Sequence, residues 1–474
     1  MQRGDPPVEA ADDGGSRAGS VSRRGFLRAG AALALGGAGL TLAACGTKAS
    51  ALTSTAASTS TAAPAVHKTI HLIGNFPHVP NATVAAEVLK AFTKANPRIE
   101  ITPQKTAPPA QKLATLVEAG QAPDFFVTTN AFVSTLFQAK AVIDLSQYTK
   151  LNRSGPMMRD IPSSLIAAQR TASGQQMAIP SKAATMGVYY NVDGFQAAHI
   201  PLPTAAWTYS DYRDALLRLT NPSKKIWGGG GDPWRFSVEN AVAWGSAWVP
   251  PSNPVTLNYN AQIVAGETFI QNLRYVDKSW MPGSIMNWSK SFPSGQMMTI
   301  RQNSYSLLAY GQAVNGAFRW STAPVPSGPA RQAVSVSANG WMITSSAKNP
   351  DAAWEAVLFG HSPTFWNIVM PVQGTIPPQI SLLPTWRKVM GTHAVLKGVD
   401  LTAWTDPIAK DTLTIQPVFK YDNGHAWHWW GNAVGSCLTG TPPKGDANVA
   451  STFKAAAAAT DAYEKSLAAK AAKG

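Results

Sequence analysis

The side chains best suited to chemistry are few in this chain and poorly clustered. His425 and His428 have the i, i+3 spacing that puts two imidazoles on one helical face. Only Asp422 stands near enough to add a third ligand, and Trp surrounds the pair, so no metal site is expected. Gly228 to Gly231 has the backbone freedom to cradle a phosphate, but it lacks the Lys-Ser/Thr of a P-loop and runs into Asp232-Pro233. A flexible turn is the expectation there. No Gly-x-Ser-x-Gly elbow exists. Cys437, flanked by Val434 and Leu438, reads as a small buried hydrophobe. Neither a catalytic residue nor a cofactor is expected.

The remaining thiol sits in a different context. Ser22-Arg23-Arg24-Gly25-Phe26-Leu27-Arg28 precedes a run of small apolar residues that ends at Leu42-Ala43-Ala44-Cys45. A basic region, an apolar core and small residues at a cleavage point make a signal peptide, and the paired arginines point to the twin-arginine route. Leu-Ala-Ala-Cys resembles a bacterial lipobox, so residues 1–44 are expected to be removed and Cys45 to carry a diacylglyceryl anchor. Residues 45–68 are mostly Ala, Ser, Thr and Gly. Such a segment behaves as a flexible leash, reaching roughly 25 Å for about 22 residues. No later stretch has the ~20 apolar residues of a spanning helix, so the lipid would be the membrane contact. If Cys45 is acylated, no disulfide can form, because the chain has 2 Cys.

The net charge is +14. The leader holds five Arg and four acids, hence +1, so the excess belongs to the rest of the chain. Anionic ligands, an anionic membrane or an acidic habitat would each suit it. Nucleic acid is not expected, since Lys and Arg are scattered rather than aligned in a stripe. About 400 residues exceed one core, which predicts two lobes.

The elements that must position any site begin at residue 69. Thr69 to Ile73 predicts a strand, followed by a helix from about Asn81 with Val84, Val88, Leu89 and Phe92 at helical spacing. Ile99 and Ile101 alternate as a strand does, Ala110 to Ala119 carries Leu113, Leu116 and Val117 on one face, and Asp124 to Val127 reads as a buried strand. Strands alternating with helices imply parallel pairing, with ligands at the strands' carboxyl ends. Asn75 and His78 in the first such loop and Asn130 in the second are therefore candidate binding residues. Turn formation by the Asn residues and a solvated His are the alternatives.

Leu113 to Gly120, Ala122-Pro123-Asp124 and Ala139 to Leu145 resemble the first lobe of the family 1 extracellular solute-binding proteins of ABC importers, which include maltodextrin-binding protein. Gly174 to Pro180 with Val188 to Asn191, Pro203 to Thr220, Phe292 to Met298, Ala323 to Pro326, Asn339-Gly340-Trp341 and Ser345 to Trp354 are similar to its later segments, in the family's order. The resemblance implies an α/β, two-lobed periplasmic-binding-protein-like fold of type II. Each lobe would be a mostly parallel sheet flanked by helices, with residues 69–184 and 324–371 in the N-terminal lobe and 188–320 and 376–474 in the C-terminal lobe. Three crossings would join them, near Ala184 to Val188, Arg319 to Val325 and Met370 to Thr375.

The same resemblance implies a lipid-anchored, extracytoplasmic and monomeric receptor. It would capture a sugar or oligosaccharide between the lobes and deliver it to ABC permease subunits without chemistry of its own. Sixteen Trp suit that ligand, since sugars stack flat C–H faces on aromatic rings. By register, Trp427 matches a stacking aromatic, though Trp430, Val434 and Cys437 continue a core-like stripe from it. Tyr305 falls near a second stacking position, and Glu239 and Trp244 match positions lining the second lobe. Glu239 as a solvated carboxylate is the alternative. Trp341 sits on the approach to the cleft or in the core. Where maltodextrin binders carry an acid just before the first crossing, this chain has Ala184, and Thr128 to Ala131 replace the charged residues after their Pro-Asp strand. The solute could thus be a different one, such as an anionic sugar, and a secreted carbohydrate-active enzyme with paired carboxylates is the further rival.

Overall fold

The computed structural model describes residues 69–104, 110–171, 173–231, 233–250, 256–415, 423–439 and 448–471. The chain divides into two units, Met1–Ala65 and Val66–Gly474, and all described residues belong to the second. Cys45, the leader and the leash lie outside them, as does Asp422. So do the side chains of Asn130 and His425.

The first sheet grows from the predicted alternation. β1 (Ile70–Gly74) pairs in parallel with β2 (Ile99–Pro103) and with β3 (Phe125–Thr128). Helices α1 (Ala82–Ala95) and α2 (Ala110–Glu118) make the crossovers. Asn81 starts α1 by accepting the Val84 amide, and Val84, Val88 and Phe92 form its buried face. Each such side chain contributes roughly 1.5–3 kcal/mol by burial, and Phe92→Ala would cost about 3–5 kcal/mol. After β3 comes α3 (Asn130–Gln138).

The chain then completes this sheet with β4 (Ile179–Pro180) and moves to a second sheet with β5 (Ala184–Asn191). There β5 pairs antiparallel with β6 (Thr299–Asn303), β7 (Trp320–Ala323) and β8 (Val334–Ser337). It returns with β9 (Gly340–Ile343), which lies antiparallel between β3 and β4, and β10 (Leu413–Ile415) later adds in parallel to β8. The strand orders are β2-β1-β3-β9-β4 and β10-β8-β5-β6. Each sheet is mixed for one reason: a strand arriving from a crossing enters at the edge toward which its neighbours run, so it must lie antiparallel to them.

The sheets relocate two expected crossings, since Ala184 to Val188 already lies within β5. The chain passes between them at residues 181–183 and 338–339, whereas 320–323, expected to cross, is β7 inside the second sheet. The segments at the junction are tied together: the Ser181 amide donates to Asn339 O at 2.8 Å and the Ala183 amide to Ile376 O at 3.1 Å. Gly374, with φ +65, ends the helix Pro363–Gln373 just before. Among the described residues no helix is long and apolar enough to cross a membrane.

Candidate functional site

The pairing register fixes where a ligand can sit. In the first sheet, Gly74 ends β1, Thr128 ends β3 opposite Gly340, and Pro180 ends β4 opposite the same residue. One edge therefore presents residues 75–78, 129–130, 181–182 and 339. In the second sheet, Ala184 pairs with Ser337 and Met186 with Asn303, so the start of β5 and the ends of β6 and β8 share the edge from which the crossings leave. Residues 227–231 extend this sheet in parallel to β6, through bridges Trp227 to Met297 and Gly231 to Arg301. That segment is the glycine run expected to be a flexible turn. Its glycines are there for contact, since a Cβ on Gly228 would meet the Leu216 backbone at 2.0 Å.

On the first-lobe side, a cavity of about 290 Å³ is lined by Asn75, His78, Gln104, Lys182 and Asn339 over an apolar floor that includes Phe125 and Phe126. Two of the three polar residues expected from the strand ends, Asn75 and His78, line it. Asn130 heads α3 just past β3. The Asn75 amide donates to Gln104 O. His78 stands in the left-handed region, φ +64, a conformation uncommon outside glycine and enriched for Asn, Asp and His. Its ring stacks 5.8 Å from the buried Trp366, and its Nε2 is buried without a hydrogen-bond partner. Burial, reinforced by the charge of Lys182, lowers its pKa to about 3, against an opposing hydrogen bond with the Ser181 backbone. The imidazole is thus neutral at physiological pH, and one of its nitrogens, buried beside the cavity, has no protein partner.

On the second-lobe side, Tyr305 follows β6 directly and is 43% exposed, its hydroxyl accepting from Asn303 Nδ2 at 3.2 Å. Trp234 is 42% exposed at the start of the helix Pro233–Ala243, three residues beyond Gly231. The two rings therefore follow adjacent parallel strands at the same edge. Trp234 also stacks edge-on against Trp430, 5.0 Å away, in the helix Asn423–Val434. That helix lies against α3 of the first lobe, so both walls meet there. Trp234 is not among the residues expected from sequence; its place three residues beyond the glycine run is the signal that points to it.

Four expected residues have core surroundings instead. Trp341 is wholly buried on β9 under the cleft floor, 6.0 Å from Phe76 and 6.1 Å from Phe125. Glu239 is wholly buried and ion-paired with the equally buried Arg301 of β6, while Ser335 of β8 donates to it through both its amide and hydroxyl at 2.8 Å. Trp244 packs 4.9 Å from Tyr209 and 5.4 Å from Phe269. It stands a full helix beyond Trp234, about 15 Å at 1.5 Å per residue, and so away from the cleft edge. Trp427 belongs to the second core, 8% exposed and 4.9 Å from Trp430. The physical reason is common to all four: aromatic and acidic residues are also what a mixed sheet uses to pack and brace its helices. Among the described residues no group of three or more His, Cys, Asp or Glu is placed to hold a metal ion.

The model of the bacterial extracellular solute-binding protein family matches residues 77–363, more than half of the chain. The chain belongs to that family. A sequence comparison with curated proteins finds no match for this solute-binding protein. Its fold is similar to that of an ABC substrate-binding protein from Listeria monocytogenes in complex with cycloalternan, at 18% identity and TM-score 0.67, over 84% of this chain and 99% of that one. It is also similar to the sugar-binding protein MalE from Xanthomonas citri (16%, TM-score 0.68, 84% and 98%). UgpB from Mycobacterium tuberculosis in complex with glycerophosphocholine is a third (16%, TM-score 0.63, 83% and 98%).

Proposed function

We propose that this solute-binding protein captures a sugar or oligosaccharide in the cleft between its sheets and presents it to an ABC permease, performing no chemistry on it. The observation that carries this reading is the pair of half-exposed rings, Tyr305 and Trp234, across the crossings from the polar groups of Asn75, His78 and Asn339. Saccharides offer flat C–H faces edged by hydroxyls, so stacking rings on one wall and amide or imidazole partners on the other match both features. The similar substrate-binding protein in complex with cycloalternan and the similar sugar-binding protein MalE support it. Asn130 would join the first wall from the head of α3. A ligand touching both walls would favour the closed arrangement, the basis of signalling to a permease. The protein would act as a monomer, held at the extracytoplasmic face by a lipid on Cys45.

Calorimetry against a panel of mono- and oligosaccharides tests the reading. Trp234→Ala and Tyr305→Ala should each weaken the best ligand by about tenfold, roughly 1.4 kcal/mol, while Trp234→Ala, which also loses its contact with Trp430, should cost about 0.5–1.5 kcal/mol of stability. Unchanged affinity in both variants would remove the site, and release of a cleaved product would favour the enzyme reading. Cys45→Ser should move the protein from the membrane fraction to the soluble one.

A further inference from the structure

The second sheet continues one strand beyond the glycine run. Gly229 bridges in parallel to Trp280: its amide donates to Ser279 O at 3.0 Å, and its carbonyl accepts from the Met281 amide at 2.8 Å. Residues 279–281, 227–231 and β6 therefore run side by side in one direction, toward the cleft edge. In α/β sheets, ligands bind outside the carboxyl ends of such strands. Past two of these ends stand Tyr305 and Trp234. Past the third comes the loop 282–291, in which Trp288 is 40% exposed.

Two contacts hold that loop against the edge. Met286 packs over Gly230, where a Cβ would lie 3.4 Å from its sulfur. The Tyr310 hydroxyl donates to Trp288 O at 2.8 Å. Tyr305 is near the same hydroxyl: burial raises the Tyr310 pKa, and the Tyr305 phenol raises it further. Trp288 and Tyr305 are thus neighbours around one buried phenol. The loop backbone is fixed locally as well, by the Asn287 amide to Ser291 Oγ at 2.9 Å and the Ser289 amide to Asn287 Oδ1 at 3.1 Å.

We propose that Trp288 is a third stacking position of the second-lobe wall, and that the solute is an oligosaccharide of at least three units. The inference rests on the sugar reading above and narrows it. Neighbouring strands lie about 4.8 Å apart, so loops from the outer two of three strands leave the sheet about 10 Å apart, more than one pyranose ring covers. A half-exposed indole on a loop already held by its backbone can take a sugar's C–H face with little ordering cost.

Calorimetry on the full chain with matched lengths tests this: maltose and maltotriose, cellobiose and cellotriose, and the β-1,4-linked mannobiose and mannotriose. In at least one series the trisaccharide should bind about tenfold tighter than the disaccharide. Trp288→Ala should bring that trisaccharide to the level of its disaccharide, while the disaccharide changes by less than about twofold. Trp288→Phe, which keeps a ring, should retain most of the gain and guards against a folding defect; the bond from Tyr310 goes to the backbone and survives both changes. Equal affinity for both lengths in every series that binds would overturn the third position. So would a Trp288→Ala loss that is absent or the same for both lengths, and either result leaves the sugar reading standing. Silence in all three series would also overturn the third position, and silence across the larger saccharide panel as well would overturn both.

Discussion

Two places in this molecule remove a charged or titratable group from water, and they do so to opposite ends. In the second lobe, Glu239 on the helix Pro233–Ala243 meets Arg301 on β6 and takes two hydrogen bonds from Ser335 on β8. Arg301 in turn donates to the Tyr209 hydroxyl at 3.1 Å and covers the Phe236 ring at 3.5 Å. Every partner is protein, and both charges are wholly buried. At the first lobe's cleft edge, His78 stacks on Trp366 and borders Lys182, yet its Nε2 has no partner. The first arrangement is an ion pair that braces three elements, with Arg301 Nε left without a hydrogen bond; the second holds a neutral ring and leaves its buried nitrogen unengaged beside the cavity. Burial alone therefore does not mark a functional residue in this fold. An engaged buried group signals architecture, and a disengaged one beside a cavity signals recognition.

Breaking the ion pair should give the largest effect. Glu239→Ala leaves the Arg301 guanidinium buried without its counter-charge, a change that costs about 3–5 kcal/mol. Thermal and denaturant unfolding should show that loss, while the folded fraction keeps its sugar affinity. If the variant melted normally and lost binding instead, Glu239 would belong with the cleft and the comparison would fail. A second buried carboxyl sharpens it. Glu267 accepts from Ser237 Oγ at 2.6 Å, but its Oε2 has no hydrogen-bond partner among the described residues, so burial raises its pKa from 4.5 to about 8. Between those values the folded chain holds a proton that the unfolded chain has lost. Stability from this group is therefore fully present below pH 4.5 and falls by about 1.4 kcal/mol per pH unit until about pH 8. Glu267→Gln should flatten that slope in unfolding measurements from pH 5 to 8; a parallel profile for wild type and variant would count against it.

How much of this could be read from the sequence depends on which force decides the outcome. The first β/α repeats were legible because periodicity dictates them: the strand expected at 69–73 is Ile70–Gly74, and the helix expected at 110–119 is Ala110–Glu118. Asn75 and His78 were legible because a strand's carboxyl end places its loop at the cleft whatever the side chains do. The second crossing was not. β7 and β8 are four-residue segments, each half Ser or Thr, whose sheet is decided by long-range pairing with β5, which no local pattern encodes. Glu239, Trp244, Trp341 and Trp427 have residue types that serve a sugar site and a packed core equally, and only their neighbours separate the two uses. Trp234 was hidden for the converse reason. The glycines before it look loose in sequence, but the structure uses them to bring strand 227–231 against Leu216 and Arg301.

The smallest expected effect is the most discriminating. Asn tolerates the left-handed backbone that His78 adopts, so His78→Asn keeps the local conformation while removing the ring that stacks on Trp366 and its Nε2. The lost stacking is partly offset because a desolvated imidazole without a partner on one nitrogen is replaced by a smaller amide that can turn toward solvent. Stability should change by less than about 1 kcal/mol, within the range of a substitution that opens no sealed cavity, while ligand affinity falls about fivefold for one neutral hydrogen bond. Unfolding curves and calorimetry on the same preparation read both quantities. If the variant instead loses as much stability as Glu239→Ala and binds normally, His78 is part of the frame, and the distinction between engaged and disengaged buried groups does not hold in this protein.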